Sequence, residues 1–473
     1  MRVAQLLGAN ALMFVTGAGL LPWLGVARSW RTLVARIGLA YFCGIAATAV
    51  VAAHLALVHV SFGWTGLVVF AGLSALSSAW HLRGTERPVW RRPRITTVAG
   101  VAALTALLAE YARAFAVAPL NRYDAWAIWA LKGHALYSFG WADPAVFAGH
   151  AYRFANLDYP LLLPSLEAID FRAMGAFDTR VLHLQFLLLL VAALAALASL
   201  LRDRVPGLLL WPALIALSLA PAIFDQLLTA YADVPLALTF AVALTAAGRW
   251  LLTREPWALA VAALAFAGAL LTKNEGLLFV AAAYVGLFVA ASPRRRVVAA
   301  ALAADILLLL PWRLYMAVHG LHNKDYSLAD SFDVHHVRSR LGVGPIAFRT
   351  LAGQMLDPLQ WGLLVPLFAA LLIVAFVAGR RALAMYGAVW ALLSWLGLSW
   401  IYVISHYEYS VYLDSSKARV VATLAVGAAA LTPLLAGEAW ASARGRDRPH
   451  AGAARTSSPP RGSASNPLRA RPR

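Results

Sequence analysis

Asn121-Arg122-Tyr123-Asp124-Ala125-Trp126-Ala127-Ile128-Trp129-Ala130-Leu131-Lys132 is a polar and aromatic island in a chain that is otherwise mostly hydrocarbon. The run before it, 95–117, is apolar and long enough to cross a bilayer. The island therefore reads as a segment just outside a membrane span. Over 125–138, Trp126, Trp129, Leu136 and Tyr137 recur among small residues, which predicts an amphipathic helix lying at the interface. A carboxylate at that position, Asp124, is the first residue to examine for chemistry.

Working outward, the composition agrees. Of 473 residues, 61% are hydrophobic and only 13% charged, about half the charge of a soluble domain. Mean hydropathy is +0.70. These values predict an all-α, polytopic integral membrane protein. A single cysteine, Cys43, excludes an intramolecular disulfide. The first apolar run, from Ala4, lacks an arginine-rich leader and is long enough to span, so it reads as the first helix.

The net charge of +18 is concentrated between apolar runs, not on one soluble face, which argues against nucleic-acid binding and follows the positive-inside pattern. Arginine clusters at 28–36, 83–94, 202–204, 249–254, 294–296 and 380–381 mark cytoplasmic turns. Spans placed between them number about thirteen: 4–25, 36–58, 62–80, 95–117, 180–202, 207–224, 233–252, 257–272, 275–291, 297–317, 359–379, 383–404 and 418–436. The N-terminus then lies outside and the C-terminus in the cytoplasm. Four regions follow: N-terminal spans 1–117, an outer loop 118–179, a core 180–437 with a second outer loop 318–358, and a basic, disordered tail 438–473. Heavy use of Ala, Arg and Leu suggests a GC-rich bacterium and hence the plasma (inner) membrane.

This topology gathers the polar segments on one face. They are Leu157-Asp158-Tyr159-Pro160, where a second interfacial helix begins at Pro160; Asp225 to Asp233; Thr272-Lys273-Asn274-Glu275-Gly276; Pro311-Trp312-Arg313 with the loop 318–358; and 405–419, with Lys417 and Arg419. A transporter would spread such groups through the midplane of several helices.

In order, Tyr123-Asp124-Ala125-Trp126, Tyr159-Pro160-Leu161-Leu162, Arg180-Val181-Leu182-His183, Asp233-Val234-Pro235, Lys273-Asn274-Glu275-Gly276 and Pro311-Trp312-Arg313 resemble the signature segments of the GT-C superfamily of membrane glycosyltransferases. The nearest branch is glycosyltransferase family 39, which groups protein O-mannosyltransferases with lipid A aminoarabinose transferases. The resemblance covers 118–320, with weaker support to 420. Two departures stand out: three extra spans precede the first outer loop, and the loop acid lacks an adjacent second acid.

The resemblance implies transfer of a sugar from a polyprenyl-phosphate donor to an envelope lipid, glycan or protein, in one inverting displacement. It implies Asp124 as general base and Lys273, Arg313, Lys417 and Arg419 as partners of the departing phosphate. Asp233 would position the acceptor, hold a divalent cation or orient Lys273. Glu275, Tyr159 and Asp158 complete the expected substrate-binding set.

Plainer readings stand beside these. Asp124 suits an N-cap for a helix beginning at Ala125, and Asp233 one for a span beginning at Val234. Asp158 suits a turn. Lys273 suits a snorkelling helix end and Arg313 an interface anchor. His335 and His336 with Asp325, Asp330 and Asp333 have no spacing that closes a metal site. A flippase for a lipid-linked intermediate is the alternative function. It requires charged cavities at both faces and repeated halves, and the sequence contains no internal repeat.

Overall fold

The structure is a computed structural model that describes residues 1–89 and 92–446. Arg91, part of one expected cytoplasmic cluster, and the tail from 447 lie outside the described residues. The chain is all-helical. Among the described residues the β pairing is a single isolated bridge between Tyr326 and Ser405.

Four long helices form the N-terminal part: α1 (Arg2–Leu20), α2 (Ala40–Leu57), which a short helix Trp30–Arg36 precedes, α3 (Trp64–His81) and α4 (Ile95–Val117). α5 (Ala130–Phe139) and α6 (Leu162–Met174) fill the first polar segment. Then come α7 (Thr179–Leu201), α8 (Gly207–Leu219), α9 (Pro221–Thr229), α10 (Asp233–Thr253), α11 (Pro256–Leu270), α12 (Glu275–Ala290) and α13 (Arg295–Val318). After α14 (Val343–Leu356) the chain ends in α15 (Leu364–Val377), α16 (Arg381–Ile404), α17 (Tyr409–Val420) and α18 (Ala422–Arg446).

Among the described residues, eight helical stretches are long and apolar enough to cross a membrane: α1, Trp30–Leu57, α4, α7, α10, α13, α16 and the continuous α17–α18. α8 and α9 together would make a ninth, bent by 52°. The bend falls at Ala220-Pro221, where proline cannot donate to the preceding turn. α11, α12 and α15 are apolar but shorter.

α10 is the axis of the bundle. Every residue from Asp233 to Leu251 is buried, and it packs on α11 and α18. α4 and α13 lie at the periphery, with only 17% and 22% of their apolar windows buried inside the protein. α1 and α2 meet through Gly17 and Gly44. A Cβ at Gly17 would fall 1.6 Å from the Ala40 carbonyl oxygen, so this crossing admits only glycine.

Three expectations need correction. The helix expected to lie at the interface over 125–138 is instead packed into the protein, with Ile128, Trp129, Lys132 and Leu136 buried. Residues 125–129 form a π-turn in which the Ala130 N–H donates to the Ala125 carbonyl. α6 begins at Leu162, not at Pro160, and is buried throughout its first ten residues, Glu167 and Asp170 included. Finally, α18 continues to Arg446, through residues expected to be disordered. Glu438 anchors it through Arg380 Nε at 3.2 Å and Arg204 at 3.6 Å.

Candidate functional site

At the Asp233 end of α10 a cavity of about 300 Å3 is lined by side chains from segments scattered along the chain. Its base is the turn between α11 and α12. Thr272 Oγ1 donates to the Gly268 carbonyl at 2.7 Å and closes the end of α11. Gly276 lets α12 start directly against it, because a Cβ there would fall 2.3 Å from the Ala269 carbonyl oxygen.

This geometry aims Lys273 at two acids. Its Nζ lies 2.8 Å from Asp233 Oδ1 and 3.0 Å from Glu275 Oε1. Burial alone would lower the lysine, but Asp233 and Glu275 outweigh it and hold the ammonium above its ordinary range. Lys273 is therefore not a snorkelling end. Asp233 begins α10 without capping it, its carboxylate being spent on Lys273.

The wall is aromatic. Trp129 and Tyr159 stack with centroids 5.2 Å apart and planes within 2°. The Lys132 ammonium lies 5.3 Å and 5.4 Å from the two ring centroids and donates to the Asn156 carbonyl at 2.6 Å. Asn156 takes a left-handed conformation, φ 47°, which asparagine tolerates better than most residues. Burial pushes Lys132 down to about 7, with Asp158 and Glu167 opposing the shift.

Asp158 does not line the cavity. It sits behind Tyr159, where its Oδ2 accepts from Asn274 Nδ2 and its carbonyl accepts from Trp312 Nε1 at 3.3 Å. Burial pushes its carboxyl up to about 6, against the pull of Lys132. Trp312 is accordingly an internal prop.

The far side is built by the loop 321–332 against 405–407. Asp325 Oδ2 accepts from Tyr159 OH at 3.3 Å and from Asn156 Nδ2 at 3.5 Å. Lys324 Nζ donates to the carbonyls of Arg153 and Phe154, each at 3.2 Å. His406 Nε2 meets Asp330 Oδ2 at 2.7 Å. Asp325 and Asp330, weighed with the histidine pair as metal ligands, thus serve the wall and its fastening instead.

At the rim, Asp124 makes no side-chain cap. Its Oδ2 accepts from Arg419 Nη1 at 2.5 Å, and the guanidinium lies 4.9 Å from the Tyr231 ring centroid. The structure brings together Asp124, Tyr159, Asp233, Lys273, Glu275 and Arg419. It leaves out Lys417, which pairs with the exposed Asp414 at 2.6 Å, and Arg313, whose nearest polar contact is Met316 Sδ at 3.9 Å. Sequence reasoning missed Lys132, Asn156 and Lys324, weighed Asp325 only as a metal ligand, and had Tyr412 only as a member of the polar segment 405–419.

A divalent cation, one of the three roles considered for Asp233, does not fit this arrangement. Among the described residues no three His, Cys, Asp or Glu side chains converge, and the cavity acids face cations or donors. The lining carries four carboxylates and three cations, Lys273, Lys324 and Arg419. Lys273 and Arg419 are already paired with carboxylates, so an anion approaching either must displace one, whereas Lys324 is held by backbone carbonyls alone.

No family model, curated protein or solved structure matches this chain.

Proposed function

We propose that the protein is a GT-C-like membrane glycosyltransferase with thirteen crossings, its cavity opening on the outer face of the plasma membrane. The donor is a sugar on polyprenyl phosphate, and the acceptor is a hydroxyl on an envelope lipid, glycan or protein. The observation that carries the reading is the Asp124–Arg419 pair above the Asp233–Lys273–Glu275 cluster, in one cavity at the end of a bundle of apolar helices.

The chemistry is a single displacement. The acceptor oxygen attacks the anomeric carbon, and the bond from that carbon to the phosphate oxygen breaks with its electron pair leaving on the phosphate. The acceptor proton passes to Asp124. Arg419 and Lys273 receive the charge developing on the phosphate, as guanidinium and ammonium donors do. Moving Arg419 from Asp124 to the donor phosphate also frees the carboxylate to take the proton. Trp129 and Tyr159 offer an apolar wall to the sugar ring, a face that aromatic side chains suit.

A second reading, transport of a lipid-linked intermediate, draws on a second charged cavity, lined by Arg28, Arg36, Arg202, Asp203 and Glu255 at the opposite end of α10. Against it, Phe266, Phe279 and Trp390 all pack on Phe240, which lies on α10 between the two ends. The test compares lipid-linked sugars and envelope glycans by mass spectrometry in a deletion strain complemented with wild type or Asp124→Asn. A glycan restored only by wild type supports transfer. Rescue by Asp124→Asn, or unchanged glycans, moves the weight to transport.

A further inference from the structure

Sixteen residues along α10 from Asp233 lies Arg249, about 24 Å away at the rise of an α-helix. A second cavity, of about 460 Å3, opens at this end between the chain before α2, the end of α7 and the start of α11. Its cations and acids do not balance. Arg28, Arg36 and Arg202 line it beside Asp203 and Glu255, with Arg249 buried beneath.

Arg249 engages both acids. It reaches Asp203 at 2.6 and 2.9 Å and Glu255 at 2.9 and 3.2 Å. Arg36 Nη2 shares Asp203 at 2.9 Å, and its Nη1 donates to the Ser199 carbonyl at 2.5 Å. Both guanidiniums are fixed against the Trp257 ring, with centroid distances of 4.9 and 4.8 Å. Arg28 and Arg202 make no ion pair among the described residues. Four arginines thus meet two carboxylates, leaving an excess of two positive charges on a rigid aromatic base. Burial and the adjacent Arg36 hold Arg202 below the usual arginine range, Asp203 offsetting part of this. Arg28 and Arg202 are exposed and Arg36 is half-buried; like charges gathered around one cavity are relieved by an anion, and guanidiniums match phosphate oxygens in geometry.

We infer that this cavity is a phosphate-binding site, in which Arg28 and Arg202 grip one phosphate group beside the already paired Arg36, above Trp257. The phosphate arrives on an anionic lipid headgroup, a ligand that basic pockets between membrane helices take up, or on a free phosphate ion.

The test uses the full-length protein in nanodiscs and in detergent. Native mass spectrometry reads retention of phosphatidylglycerol against phosphatidylcholine, and thermal unfolding reads the response to inorganic phosphate. The proteins are wild type, Arg28→Ala/Arg202→Ala and Arg296→Ala, the last removing an equally basic residue outside the cavity. Preferential retention of phosphatidylglycerol by wild type, at least fivefold reduced in the double variant, assigns the site to a lipid. A phosphate-dependent rise in unfolding temperature, lost in the double variant without lipid preference, assigns it to the free ion. The double variant removes no ion pair of the fold, so it remains testable. Equal behaviour of wild type and double variant, or an equal loss in Arg296→Ala, overturns the inference.

Discussion

Arg419 Nη1 reaches Asp124 Oδ2 at 2.5 Å across 295 positions of sequence, and this bond joins the first polar segment of the chain to its last. Both side chains are about a quarter exposed, so the pair sits where a ligand can compete for it. Asp124→Asn is expected to lower transfer by about 10²–10⁴-fold, the usual range for loss of a positioned base, with little change in unfolding temperature. Arg419→Ala should raise the donor KM as well. The double variant should fall no lower than the worse single one, because the two act on one step. Additive losses in purified enzyme would show that the residues act separately.

Lys273 carries a heavier structural duty. It is buried between Asp233 and Glu275, both also buried. Lys273→Ala strands two carboxylates and should destabilise the protein by about 3–5 kcal/mol. Asp233→Asn together with Lys273→Gln removes charge on both sides and should recover part of that loss. Unfolding midpoints in detergent decide it; an unchanged midpoint in Lys273→Ala would sink the assignment.

Asp158 makes stability depend on acid. Its carboxyl titrates near 6 in the folded chain and about 4 when unfolded. Between those values the folded state binds the extra proton, so stability falls as pH rises through that window and levels off above it. Asp158→Asn should flatten the curve, which otherwise drops by on the order of 2 kcal/mol. Unfolding midpoints from pH 4 to 7 measure this, and a wild-type curve that rises over the same window would refute it.

The crossing pattern can be mapped chemically because Cys43, the sole cysteine, is buried. In a Cys43→Ala background, Phe332→Cys should react with an impermeant maleimide in intact cells. Phe332 is 87% exposed in the outer loop of the proposed topology. Arg296→Cys should react only after permeabilisation. Reversed labelling would invert the orientation, and labelling from the same side would remove α13 as a crossing.

Apolar runs bounded by arginine made much of the helical order legible. The expected runs 95–117, 180–202 and 233–252 correspond to Ile95–Val117, Thr179–Leu201 and Asp233–Thr253. Runs such as 257–272 also fold as helices, but α11 is too short to identify as a span by length alone. In the cavity, Asp124, Asp233, Lys273 and Glu275 were legible as charges next to helix ends, where charge is expensive without a reason. Lys132 was not, because its partners are backbone carbonyls at Asn156 and Tyr159, which no local pattern announces. Asp325 was visible only as a member of a loop cluster, because the side-chain contacts that place it, with Asn156 and Tyr159, span 169 and 166 positions. Lys417 and Arg419 look alike in sequence. Two positions apart on a helix, they point in different directions, and only Arg419 faces the cavity.

The π-turn at 125–129 gives this chain an unusual relation to insertion and deletion. A π-turn holds one residue more than regular α-helix needs, so removing one residue between Ala125 and Trp129 would restore the ordinary ladder at no cost in backbone hydrogen bonds. It would leave Asp124 facing Lys132 and the Trp129–Tyr159 stack much as it does now, because the wide turn already absorbs the rotation of its extra residue. The same deletion a turn later, in the regular helix after Ala130, would instead rotate everything beyond it by about 100°. Descendants of this sequence should therefore tolerate the loss of one residue within this short segment better than in the helix that follows it.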